Sequence, residues 1–123
     1  MKILIVDDSN FVITIVSKTL QTNIPVLEIL TASNGIEGYN LYRTEKPDLI
    51  VLDLLMPEMN GWELLKLIRE EDLKVKIIVL SADIQKATRD EIETFGITAF
   101  LNKPFNNEKA EQLIHIIKEE YGA

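Results

Sequence analysis

Apolar residues fall along this chain in two alternating patterns: short continuous runs, and longer stretches in which they recur every three or four positions. The runs Lys2–Val6 (KILIV), Leu49–Leu52 (LIVL) and Ile77–Leu80 (IIVL) are too uniformly apolar for strands with one wet face. They read as central parallel strands covered on both sides. Val26–Thr31 is more polar, and Pro25 before it suits an edge strand, because proline donates nothing to a ladder. Thr98–Leu101 (TAFL) is the last short run.

Between these runs the spacing is helical. Ser9–Leu20 opens on a capping hydroxyl and carries Phe11, Val12, Ile15, Val16 and Thr19 on one broad face. Asn34 is placed to cap a second helix, with Gly35, Gly38, Tyr39 and Tyr42 on one side; Gly38 lets that helix approach the sheet closely. Asn60 caps a third helix with Leu64, Leu65 and Ile68 inward. In the fourth, Ile84, Thr88, Ile92 and Phe95 align, and Gly96 closes it as a C′ residue. Ala110, Leu113, Ile114, Ile117 and Tyr121 form the stripe of the fifth, capped by Asn106 or Asn107. Five such βα units predict an α/β sandwich: a parallel sheet with right-handed crossovers and helices on both faces.

Composition narrows the function classes. A chain of 123 residues fits one domain, and we expect residues 1–123 to form it with no second domain following. There is no cysteine, so disulfides and thiolate metal sites are excluded, and a cytoplasmic setting is expected. The start MKILIVDDSN turns acidic too early for a signal peptide, and no apolar run approaches the roughly 18 residues of a membrane span. A net charge of −7 argues against direct binding of nucleic acid or an anionic membrane, and favours cations and basic or amphipathic proteins.

The acidic residues add chemistry to this frame. Asp7 and Asp8 follow the first strand, and Asp53 follows the third. Ligands of open α/β sheets bind outside the carboxyl ends of the strands, where strand order reverses. If the order is 2-1-3-4-5, the three carboxylates converge there. At ~4 Å separation each pair of charges costs on the order of 4 kcal/mol at an effective dielectric of 20. A domain stable by about 5–15 kcal/mol must neutralise them. An all-oxygen donor set selects a hard cation such as Mg²⁺. Lys103, after the fifth strand, can bring an ammonium to the same crevice, and Ser81, after the fourth, a hydroxyl. That set suits phosphoryl transfer, with Asp53 as nucleophile forming an acyl phosphate and Mg²⁺, Lys103 and Ser81 stabilising the phosphoryl oxygens.

ILIVDDS at Ile3–Ser9, VLDLLMPEMNGWELL at Val51–Leu65, LSA at Leu80–Ala82 and FLNKPF at Phe100–Phe105 together resemble the receiver family of response regulators in two-component systems. The resemblance covers nearly the whole chain. It implies a flavodoxin-like three-layer α/β sandwich, with a five-stranded parallel sheet in the order 2-1-3-4-5 and five helices. It implies Asp53 as phosphoacceptor, a magnesium site of Asp7, Asp8, Asp53 and the backbone carbonyl of Leu55, and phosphoryl contacts from Ser81 and Lys103. Ser81 and Phe100 match the switch pair, Lys103–Pro104 the cis peptide bond, and Met56, Pro57 and Gly61 the loop after the phosphoacceptor. Implied partners are a histidine kinase or phosphotransfer protein, and a downstream target on the face of the fourth helix, fifth strand and fifth helix. The receiver would be a monomer or a phosphorylation-dependent dimer, a switch and not a turnover enzyme, in chemotaxis or a phosphorelay.

Two positions depart from common members: Leu55 stands where many relatives are polar, and Asp83 is acidic. Both flank the path of the hydrolytic water, so Leu55 is expected to slow dephosphorylation. A haloacid-dehalogenase-type phosphatase would need a second Asp at Leu55. A flavin module would need a glycine- and hydroxyl-rich first loop in place of Asp-Asp-Ser, and a phosphate-independent pseudo-receiver would not need the intact acidic and lysine set. Taken singly, Asp7 or Asp8 reads as a helix cap, Ser81 as a turn residue, Lys103 as a solvated lysine and Phe100 as core. His115 reads as solvated, Trp62 as packed beside the active-site loop, and Ile116 as an outward apolar residue on a partner surface.

Overall fold

The structure is a computed structural model, and it describes residues 1–56, 59–82 and 85–121. The strands are β1 (Lys2–Val6), β2 (Glu28–Ala32), β3 (Leu49–Leu52), β4 (Lys76–Ser81) and β5 (Ala99–Asn102). The helices are α1 (Asn10–Asn23), α2 (Gly35–Glu45), α3 (Gly61–Glu71), α4 (Lys86–Glu93) and α5 (Asn107–Tyr121). All four strand pairings are parallel, in the order β2-β1-β3-β4-β5. This is the expected α/β sandwich, with strand order reversing between β1 and β3.

Side chains alternate across each strand and so divide between two cores. Leu4 and Val6 of β1 join Ile50, Leu52, Ile77 and Val79 beneath α2, α3 and α4, where Leu64, Leu65, Ile68 and Ile92 meet them. Ile3 and Ile5 face the other way, with Val51, Ile78 and Leu80, and pack on Val16 and Leu20 of α1 and Leu113 and Ile117 of α5. Burial on both faces explains why the central strands read as unbroken apolar runs.

Ser9, Asn34, Asn60 and Asn106 each accept a backbone N–H three residues on, from Val12, Glu37, Glu63 and Lys109. The fifth helix is therefore capped by Asn106. Gly96 has φ +74° and closes the turn after α4. Beneath that turn lies Arg69, largely buried in α3. Its guanidinium donates to the carbonyls of Phe95 (2.7 Å), Gly96 (3.2 Å) and Asp72 (3.0 Å), tying the end of α3 to the end of α4.

Several expectations need correction. Phe11 is not on the inward face of α1: it is 73% exposed. The buried seam of α1 runs through Val16 and Leu20, and Phe11 lies about 140° from Val16 at 100° per residue. The second strand starts at Glu28, because Val26 has φ +52° and cannot extend a strand. Ile116 is half-buried against the α1–α5 core, since the seam of α5 is wide enough to reach it. Trp62 meets Phe95 edge-on at 6.4 Å, so it packs toward the end of α4 and not only beside the loop after β3. His115 is solvated, as expected, beside Glu119. Pro57, Asp83 and the stripe position Ile84 lie outside the described residues.

Val26 is 90% exposed and β-branched, yet held in the left-handed region. That conformation costs an L residue roughly 1–2 kcal/mol, and least for asparagine. Val26→Asn should raise unfolding stability by about 1 kcal/mol in urea titration; unchanged or lower stability would contradict the strain.

Candidate functional site

The parallel register continues one residue past the strands and sets the site. The amide of Asp7 donates to Ala32 O (3.0 Å), that of Asp53 to Val6 O (2.9 Å) and that of Lys103 to Ser81 O (2.8 Å). Backbone bonds therefore bring the ends of β1, β3, β4 and β5 to one crevice with their polar side chains. Ligand oxygens of Asp7, Asp8 and Asp53 lie within 4.8 Å of one another. Asp7 and Asp53 are buried and Asp8 is exposed.

The Lys103 ammonium bridges the two buried carboxylates, at 3.0 Å from Asp7 Oδ2 and 3.1 Å from Asp53 Oδ2. The fully buried Ser81 hydroxyl donates to Asp53 Oδ1 at 2.7 Å, and the Leu55 amide donates to the same oxygen at 3.1 Å. Asp7 Oδ1 accepts the Ser9 amide at 2.9 Å. The helix cap is thus Ser9, and neither reading of Asp7 or Asp8 as the cap holds.

Burial pushes the Asp7 carboxyl above the ordinary aspartate range; the Ser9 amide and Lys103 oppose this, and the charge of Asp53 adds to it. Burial pulls the Lys103 ammonium down, but its bonds to Asp7 and Asp53 and their charges outweigh that and leave it raised. Three carboxylates meet a single ammonium there, so the crevice accommodates more positive charge than Lys103 supplies. A hard, oxygen-seeking dication fits that donor set and that deficit.

Glycines let the surrounding loops close in. A Cβ on Gly61 would collide with the Asp53 carbonyl, and one on Gly35 with the Met59 carbonyl. The Gly35 amide donates to that Met59 oxygen at 2.9 Å, fastening the loop after β3 to the start of α2. The sequence gives no sign of this tie, because its partners are backbone groups.

Leu55 is 57% exposed next to Asp53. Phe100 is half-buried against the α2–α4 core, and the Arg89 guanidinium lies over its ring at 4.8 Å. Arg89 was not distinguished by the sequence pattern. The Lys103–Pro104 bond is cis.

A family model of the response regulator receiver domain matches residues 3–117. The chain belongs to the response regulator receiver family. This receiver is 34% identical over 118 residues to the chemotaxis protein CheY of Thermotoga maritima, covering 96% of this chain and 98% of that protein. It is also 34% identical over 118 residues to the probable C4-dicarboxylate response regulator DctR of Bacillus subtilis, covering 96% of this chain but 52% of that protein. The receiver thus spans about half the length of some curated relatives and nearly all of others. The receiver domain protein of Methanospirillum hungatei superposes with a TM-score of 0.86 at 26% identity, covering 97% of this chain and 91% of that one. Like its family, this receiver is a phosphoryl-accepting element of two-component signalling. Among the described residues, no helix is long and apolar enough to cross a membrane.

A dication held by Asp7 and Asp53 would compete with Lys103 for the same carboxylates. Lys103→Met should destabilise the metal-free receiver by about 1–3 kcal/mol, and millimolar Mg²⁺ should raise its melting temperature more than that of the parent. Equal Mg²⁺ responses in the two proteins would contradict the competition.

Proposed function

We propose that residues 1–123 act as one receiver domain in which Asp53 accepts the phosphoryl group from a histidine kinase or phosphotransfer protein. The observation that carries this reading is the Lys103 ammonium held at 3.1 Å from an Asp53 oxygen, with Ser81 on the other oxygen. Asp53 attacks phosphorus along the line of the phosphorus–nitrogen bond of a phosphohistidine. The new bond is a carboxyl oxygen to phosphorus, and the breaking bond leaves its electron pair on the imidazole nitrogen, which takes up a proton. Lys103 neutralises phosphoryl charge, and the Ser81 hydroxyl turns from Asp53 Oδ1 to a phosphoryl oxygen. Asp7, Asp8, Asp53 and the Leu55 carbonyl would hold Mg²⁺, which when bound offsets charge on the phosphoryl oxygens.

The movement of Ser81 is the start of the output. Phe100 follows it inward, and the face of α4, β5 and α5 changes shape for a downstream protein or a second receiver. The phosphoryl group drives this only by its different contacts in the two states. The activity is limited to self-directed phosphoryl transfer and hydrolysis, in the cytoplasm, without direct contact with nucleic acid or membrane. Chemotaxis and a phosphorelay both fit such an output.

Incubation with acetyl phosphate and Mg²⁺ should add one phosphoryl group by intact mass, and chelation or Asp53→Asn should abolish it. Unaltered labelling of the Asp53→Asn protein would overturn the assignment. The Leu55 side chain supplies no polar group that could orient a hydrolytic water. Leu55→Asn should therefore shorten the phosphoryl lifetime severalfold, read as loss of the phosphorylated mass with time; an unchanged lifetime would remove Leu55 from the hydrolysis argument.

A further inference from the structure

We propose that Arg89 is a latch that holds Phe100 in its resting position and thereby sets how readily the receiver switches. The inference rests on the reading of Phe100 as the side chain that moves, and adds to it the restraint against which it moves. β4 and β5 are paired with Val79 opposite Phe100 and Ser81 opposite Asn102. Side chains alternate, so Ser81 and Phe100 face the same side of the sheet as Val79, toward α4. Phe100 therefore lies diagonally across the β4–β5 ladder from Ser81, on the face that α4 covers.

On that helix, the Arg89 guanidinium carbon lies 4.8 Å from the centre of the Phe100 ring. Glu93, one turn on, holds the guanidinium through an ion pair of 3.6 Å. The ring is thus clasped between the α2–α4 core on one side and a cation on the other. An exposed ion pair of this kind contributes little by itself. The stacking contact is different, because it exists only while the ring stays where it is. A contact present in one of two states shifts their balance by its full value.

The sign of the effect separates this role from simple electrostatics. Removing a positive charge from the neighbourhood of an anion site weakens anion binding. Removing a latch on the resting state strengthens it, because less of the binding energy goes into releasing Phe100.

Beryllofluoride, a phosphoryl mimic, can be titrated in the presence of Mg²⁺ and its bound fluorine signal followed by NMR. Arg89→Ala should lower the half-saturating concentration about two- to fivefold relative to the parent, and should speed labelling by acetyl phosphate in the same direction. In a Phe100→Leu background, which removes the ring, the same substitution should have no such effect. An unchanged or raised half-saturation in Arg89→Ala, or an equal decrease with and without the ring, overturns the latch while leaving the phosphoacceptor reading in place. A parent receiver that neither binds the mimic nor takes a phosphoryl group overturns both.

Discussion

One ammonium is shared by two carboxylates that would otherwise repel each other across a buried crevice. Lys103 lies 3.0 Å from Asp7 and 3.1 Å from Asp53, each on a different strand end. Oxygens of the two carboxylates lie within 4.8 Å of each other, and a like-charge pair about 4 Å apart costs on the order of 4 kcal/mol at an effective dielectric of 20. Without the lysine, the loops after β1 and β3 would be pushed apart in the absence of metal. With it, the site stays assembled yet incompletely neutralised, since one ammonium faces three carboxylates. The same incompleteness makes the crevice receptive to a dication and to a phosphoryl group that brings its own charge.

The sheet makes this arrangement affordable. Two cores, one on each face, anchor β1, β3 and β4 through side chains that are almost wholly excluded from solvent. Among the described residues, every buried side-chain polar atom has a hydrogen-bond partner. Among the described residues, left-handed backbone outside glycine is confined to the exposed Val26 and Lys46, and the strand ends can hold charged residues at fixed spacing. The backbone bonds from Asp7, Asp53 and Lys103 transmit that rigidity directly into the site.

The parts of this architecture that depend on periodicity were legible in the sequence. Two-sided burial leaves apolar runs, and a polar residue at the end of each run marks the crevice. Asp7, Asp8, Asp53, Ser81 and Lys103 could be placed for that reason, with Phe100 and the strand order following from family resemblance. Phe11 could not, because a helix of 14 residues offers several candidate seams and only the packing of Val16 and Leu20 selects one. Val26 looks like strand because β-propensity says nothing of the left-handed turn it occupies. The Gly35–Met59 tie runs through groups that every residue possesses, and the Arg89–Phe100 stack joins residues on separate elements. Neither leaves a local pattern.

The fastening of α4 has a mechanical consequence. Arg69 grips the carbonyls of Phe95 and Gly96 just beyond its carboxyl end, whereas at its amino end Gln85 makes no side-chain capping bond among the described residues. That grip makes the carboxyl end the natural pivot for any tilt of the helix. Eight residues span about 12 Å, so a tilt of about 10° carries the free end about 2 Å while the pivot stays in place. On that geometry a tilt would be largest along the edge of the molecule that holds the amino end of α4 and smallest beside Arg69.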